Sequence, residues 1–316
     1  SKQARKEPTT QNRNNTHLYP ADVLEIVRSS KWDVRKEGFQ YIAETAWDNW
    51  VPFGEDIIRY FKISLESKDS TPEEINMCCM AIVSLCKAGI SSKHKAMIRS
   101  GMVPALCRHL GSIPCSVAVL LALLQIETSR TAATRQVKNI RDSLHVSLRI
   151  CGGLEKLVDI VKPNSNHHNA AKVHGMALLQ YSAFNQQSQP LLARHWKIWC
   201  SFLSSQNLDN VENGIEILIN IVRSIQRYIK SSRSRDRGKE DILKSIQEYP
   251  NLKSRLKILS DAAQFSKRAG VLIKLVYPSG YIEPPKRLDL CSNKSRRSGS
   301  LDLFLPVCST VRKKKN

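Results

Sequence analysis

SKHKAMIRSGMVPALCRHL (Ser92 to Leu110) sets how the rest of the chain is read. Two short helical patterns flank one glycine. After it, Val103, Leu106, Cys107 and Leu110 recur at i, i+3, i+4 and i+7, one face of a helix. The same order of short helix, small or polar break and apolar helix returns in HVSLRICGGLEKLVDIV (His145 to Val161) and QPLLARHWKIWCSFLSS (Gln189 to Ser205). Their second helices are placed near Gly101, Gly153 and His195. The last interval is then 42 residues and the first 52, with about ten residues inserted around TSRTAATRQ. A longer third helix precedes two of these breaks, in EEINMCCMAIVSLCKAG and NAAKVHGMALLQYSAFN. A three-helix unit recurring at this period buries its apolar faces by stacking on its neighbours.

Upstream, Pro20 suits the first helical position of PADVLEIVRSS. DVRKEGFQYIAETA places Val34, Gly38, Ile42 and Ala46 on one stripe, and FGEDIIRYFKISLES reads as the next helix. STPEEINMCCMAIVSLCKAG carries both boundary signals: Thr71 as cap, Pro72 first, Glu74 to close a capping box, Gly89 as stop. IPCSVAVLLALLQI (Ile113 to Ile126) is too short for a membrane span, which needs about 20 residues, and reads as a helix buried all round. The organisation expected is a disordered arm over 1–16, a helical array over 17–230, a basic break with capping helices over 231–276, and a disordered basic tail over 277–316.

Composition agrees with an all-α chain. Of 316 residues, 41% are hydrophobic but only 6% aromatic, which favours helices over sandwiches or barrels. The net charge of +21 sits mostly in the flanks: +14 over residues 227–316, +3 over 1–16, and +4 between. Such flanks attract acidic partners at long range. The nine cysteines lie mainly on apolar helical faces without CxxC or framework spacing, as buried thiols of a reducing compartment do, and no zinc site is read. The polar opening SKQARKEPTTQNRNNTH does not read as a secretory signal, and a cytoplasmic setting is expected, with cytoskeletal or nuclear destinations as alternatives.

MIRSGMVPALCRHL, ICGGLEKLVDIV and GMALLQYSAFNQQSQPLLARH resemble armadillo repeats, and the likeness extends over about residues 18–276. It implies a right-handed alpha-solenoid of armadillo/HEAT-type repeats that is a non-enzymatic protein-binding scaffold, holding a peptide or helix in a concave groove. In that family asparagines of the third helix clamp the peptide backbone, which makes Gln180, Asn185, Asn213 and Asn220 the candidates here. Solvent-facing polar side chains are the plainer account of all four, and Asn185 also suits a helix end. WDVRKEGFQYI resembles a HEAT repeat, with Gly38 at the usual Ala position, and SSKWDVRKEGF resembles the first turn of CLASP-type TOG domains, which bind tubulin. That likeness makes Trp32 an exposed fingertip flanked by Lys31 and Arg35. The alternatives are a tryptophan packed over the helix junction and a structural arginine.

Trp47, Trp50, Trp196 and Trp199 are expected in the core or between repeats. His167, His168 and His174 have no catalytic partner at a diagnostic spacing, and CGGLEKL lacks a phosphate-loop pattern, so neither an enzyme nor a cofactor is read. The whole array shows no acidic bias of the kind that holds basic import cargo. In the tail, KRLDL (Lys286, Arg287, Leu288, Leu290) and RRSGSLDL (Arg296, Arg297, Leu301, Leu303) resemble kinase-docking peptides. Ser298 and Ser300 fit basophilic phosphorylation, and RKKKN fits nuclear entry or phosphate contact. Two further readings stand beside the scaffold: a tubulin regulator using Trp32, and nonspecific nucleic-acid binding driven by the tail. No small-molecule substrate is expected.

Overall fold

Helices alternate with tight turns from one end of the described chain to the other. The computed structural model describes residues 19–45, 56–86, 91–125, 133–231 and 237–278, which hold sixteen helices and no strand. Two pairs come first: α1 (Pro20–Arg28) with α2 (Trp32–Glu44), and α3 (Asp56–Glu66) with α4 (Pro72–Cys86). Triplets follow. They are α5 (Ser91–Arg99), α6 (Met102–Arg108) and α7 (Pro114–Leu124), then α8 (Ala133–Ile150), α9 (Gly153–Val161) and α10 (Asn169–Ala183). The last two are α11 (Gln189–Arg194), α12 (Trp196–Phe202) and α13 (Leu208–Ser231), then α14 (Arg237–Gln247), α15 (Leu252–Asp261) and α16 (Ser266–Val276). All sixteen belong to one unit.

The closing helix of each pair or triplet packs on the next. α2 lies on α4, α4 on α7, α7 on α10, α10 on α13 and α13 on α16. This ladder holds the core. α7 is its middle rung and is buried on almost every side, from Ser116 to Leu121 and again at Leu123 and Leu124, because α4 and α10 cover opposite flanks while α6 and α8 close a third. A second layer runs behind it, with α1 against α3, α3 against α6, and α6 against α8 and α9.

Turns between first and second helices use the left-handed region. Gly101 (φ 83°) separates α5 from α6, and Gly152 (φ 69°) separates α8 from α9. Asn251 (φ 60°) does the same between α14 and α15, so the segment expected to cap the array repeats the triplet's own hinge. His195 turns α11 into α12 without it. Of the insertion expected around TSRTAATRQ, the part from Ala133 onward is helix, and it lengthens α8 to 18 residues against 9 in α5.

Glu74 departs from its sequence-based role. The Thr71 hydroxyl accepts from the Glu74 N–H (3.2 Å), as a cap should, but the Glu74 carboxylate does not turn back to close the box. It is fully buried, taking Arg35 Nε at 2.9 Å, Arg35 Nη2 at 3.3 Å and the Ser64 hydroxyl at 3.0 Å. Arg35 Nη1 donates to the carbonyls of Ser29 (3.0 Å) and Ser30 (2.9 Å). One ion pair thus ties the α1–α2 turn, α2, α3 and α4 together. Gly38 serves the same junction by close approach, since a Cβ there would stand 2.7 Å from Val27 Cγ2. Helix α2 therefore approaches α1 more closely at this point than an alanine allows without displacement.

Behind the ladder, carbonyls at the ends of second-layer helices lack intrahelical donors. Side chains of the following unit supply them. His109 Nε2 donates to Leu65 O (2.7 Å), Lys156 Nζ to Cys107 O (2.8 Å) and Arg255 Nε to Leu203 O (2.7 Å). The two cations also complement the negative helix ends.

Removing Arg35 leaves Glu74 charged and unpaired out of water, so Arg35→Ala is expected to destabilise the chain by about 3–5 kcal/mol. Replacing both partners, Arg35→Met with Glu74→Leu, should recover most of that loss. Denaturant unfolding of the two variants checks both expectations.

Candidate peptide-binding face

The interior rungs α4, α7, α10 and α13 bury most of their surface and leave a stripe, while α2 at the end buries only one face. On α10 the uncovered stripe is Val173, Ala177, Gln180 and Phe184, spaced so that all lie within one face, with Phe184 60% exposed. On α13 it begins with Asp209 and Asn213; further along, Glu216 takes Arg268 of α16 at 2.6 Å and Asn220 is nearly buried. α4 contributes Asn76, Met77 and Met80, while α7 offers only the small side chains of Cys115 and Ala122. The stripe on α2 is Asp33, Glu37, Gln40 and Glu44. The array's overall charge conceals this acidic rung, which is visible only once the helix faces are assigned.

Four amide candidates separate on this face. Gln180 and Asn213 are half-buried on the uncovered stripes of neighbouring rungs. Asn220 shares the α13 stripe but is only 8% exposed, and its Nδ2 donates to Glu216 O at 2.9 Å. Asn185 is a turn residue. Its Oδ1 accepts from the N–H groups of Gln187 (3.0 Å) and Ser188 (3.3 Å), and its Nδ2 donates to Asp142 Oδ1 (3.2 Å). The amides of Asn185 and Asn220 are engaged in these local bonds.

At α2 the three candidates also divide. Trp32 opens the helix half-buried, with the Lys36 ammonium 5.4 Å from its ring centroid; Lys36 also pairs with Glu73 at 2.9 Å. Lys31 is exposed before it. Arg35 is spent on Glu74, the structural arginine of the two readings. Trp199 is fully buried and donates to Leu192 O (2.8 Å), and Trp196 meets Tyr249 edge-on at 5.7 Å. Trp47, Trp50 and every tail motif from Lys286 to the end lie outside the described residues.

A cleft of about 440 Å³ opens where the α10 stripe ends. Leu124, Val137, Tyr181 and Phe184 give it apolar walls, and Lys138, Arg141, Asp142, His145 and Asn185 line the rest. His145 is 5% exposed on its floor, with Nδ1 3.2 Å from the Ser182 hydroxyl. Burial lowers its pKa to about 4, with Arg141 acting in the same direction and Asp142 opposing. The other histidine cluster is structural: His167 Nδ1 meets Gly111 O at 3.2 Å, and the His168 ring caps α10 by accepting from Ala170 N. Among the described residues there is no group of three metal-ligating side chains, and no helix is long and apolar enough to cross a membrane.

No family model matches this chain. Nor does a curated protein match it by sequence. Solved structures do. A computationally designed armadillo repeat protein for modular peptide recognition aligns at TM-score 0.54 and 15% identity, covering 82% of this chain and 99% of that one. The fold is an armadillo-type alpha-solenoid. A designed armadillo protein in complex with a (KR)4 peptide aligns at TM-score 0.52 and 13% identity, over 82% and 99% of the two chains. An engineered protein from the Northeast Structural Genomics Consortium gives TM-score 0.55 at 14% identity, over 84% and 99%. At these identities the likeness is one of fold.

The depressed pKa of His145 has a signed consequence. Between about pH 4 and 6.5 the unfolded chain binds a proton there that the folded chain refuses, so stability rises with pH through that window. Wild-type protein is expected to lose about 3 kcal/mol more than His145→Gln on going from pH 7 to pH 4. Denaturant titrations at both pH values measure the difference.

Proposed function

We propose that this protein is a non-enzymatic scaffold that holds an extended segment of a protein partner on the uncovered face of the ladder. One observation carries the reading: the packed successive rungs α10 and α13 each present a half-buried amide on the uncovered stripe, Gln180 and Asn213, and the α10 stripe with Val173, Ala177 and Phe184 runs to the cleft. Amides on successive rungs can donate to and accept from a peptide backbone, and an apolar anchor can fill the cleft beside Phe184. The carboxylates of Asp33, Glu37 and Glu44 on α2 favour a segment that carries basic residues at that end. The designed protein that binds (KR)4 shares the fold, which supports a peptide as the kind of ligand.

Selection from a displayed library of random linear peptides is the test. Binding of the selected peptides is expected to weaken at least ~10-fold in Gln180→Arg and in Asn213→Arg, with helicity unchanged. Peptides indifferent to both substitutions would move the site off this face.

A tubulin contact is a second reading, favoured by the half-exposed indole of Trp32 beside the exposed Lys31. Co-sedimentation with soluble tubulin at two salt concentrations separates the outcomes. Loss of salt-resistant binding in Trp32→Ala supports it. Weak binding that salt removes equally from both proteins assigns the contact to the basic flanks.

A further inference from the structure

Cys107 and Cys151 are 44 residues apart in the chain and come together in the fold, where Cys107 Sγ lies against Gly153 in the turn that carries Cys151. Cys107 is buried on α6, in one triplet, and Cys151 is half-buried in the α8–α9 turn of the next. The Cys151 thiol donates to the Leu148 carbonyl at 3.6 Å, and it lies close enough to the Cys107 sulfur and to the Gly153 N–H at the start of α9 to interact with both. Lys156 stands over the pair, its ammonium fixed on the Cys107 carbonyl at 2.8 Å. Gly153 makes the approach possible, because a Cβ there would lie 2.6 Å from Cys107 Sγ.

These groups divide the labour between the two sulfurs. Hydrogen bonds from Cys107 and Gly153 and the charge of Lys156 hold the Cys151 thiol below its ordinary pKa, while its bond to Cys151 and burial push Cys107 up. Burial likewise raises Cys78, Cys79, Cys86 and Cys200, which stay protonated and inert.

We propose that Cys151 is an oxidant-reactive thiol resolved by Cys107, so that hydrogen peroxide converts the pair into a disulfide joining two successive triplets. The Cys151 thiolate attacks one peroxide oxygen, the O–O bond breaks, and the departing hydroxide takes a proton to become water. Cys151 is then a sulfenic acid. The Cys107 sulfur attacks it, the S–O bond breaks, and hydroxide leaves with the Cys107 proton as a second water. Two thiols lose two electrons, and one peroxide gains them. The Cys107 sulfur already lies against Gly153, two residues from Cys151, and the two sulfurs must close to an S–S bond of about 2.05 Å. The pair lies in the second layer, behind the ladder, so the inference stands apart from the proposed binding face.

Reduced full-length protein treated with equimolar hydrogen peroxide at pH 7, alkylated and mapped without reductant provides the test. The expected product is a Cys107–Cys151 cross-linked peptide pair lacking two hydrogens, and Cys151 should react at least ~10-fold faster than the half-buried Cys115. In Cys107→Ser a dimedone adduct should accumulate on Cys151, and the melting midpoint of the oxidised wild type should rise and return with reductant. If Cys107→Ser fails to fold, the wild-type map alone decides. Oxidation at Cys115, Cys291 or Cys308 with Cys151 still reduced would overturn the proposal. So would Cys151 proceeding to sulfinic acid with no link to Cys107.

Discussion

No triplet in this chain can bury its apolar stripe by itself, and the ladder from α2 to α16 follows from that constraint. Each closing helix uses one flank for the preceding rung and one for the next. α7, the middle rung, is therefore apolar nearly all round, whereas α13 keeps polar residues on its uncovered side and α16 has no further described rung beyond it. The Arg35–Glu74 pair applies the same logic to charge. A carboxylate taken fully out of water is tolerable only where a guanidinium and a hydroxyl meet it, and those partners come from different helices. Packing and ion pairing thus fix the same junction.

Stacking also leaves polar backbone to be satisfied. Each second-layer helix ends with carbonyls that its own turn cannot reach, and His109, Lys156 and Arg255 reach back from the following unit to meet three of them. At three of the five stacking steps such a bond runs from a unit to its predecessor, so repeat spacing there is set on both layers: by apolar contact in the ladder and by donor length behind it. Lys156 serves twice, since the bond that satisfies Cys107 O also holds its charge beside the two thiols. A structural contact and a reactive site share one side chain.

The two layers offer different chemistry for that reason. Rungs must pack on both flanks, which leaves a single stripe per helix for partners, and the stripe varies from carboxylates on α2 through small side chains on α7 to amides on α10 and α13. The second layer instead places turn residues of one triplet against helix ends of another, and there two thiols from separate triplets meet.

The helical period, the glycine breaks and the proline starts determined most of the fold, because they act within one turn of chain: Gly101 and Gly152 supply left-handed hinges wherever they stand, and Pro20, Pro72 and Pro114 open helices. Asn251 was harder to read as a hinge, since asparagine enters the left-handed region only in a suitable setting. What tertiary structure alone decided were the fates of polar side chains. Thr71 and Glu74 carry the spacing of a capping box, yet Glu74 is drawn to Arg35, 39 residues away. Asn185, Asn213 and Asn220 are the same residue in sequence; one closes a turn, one stays half-buried on its helix, and one folds back on its own helix. Cys107 and Cys151 show no motif spacing because they meet across a stacking interface. Local dihedral preferences are written in the neighbouring residues, whereas the partner of a buried or half-buried polar group is set by which helices the ladder brings together.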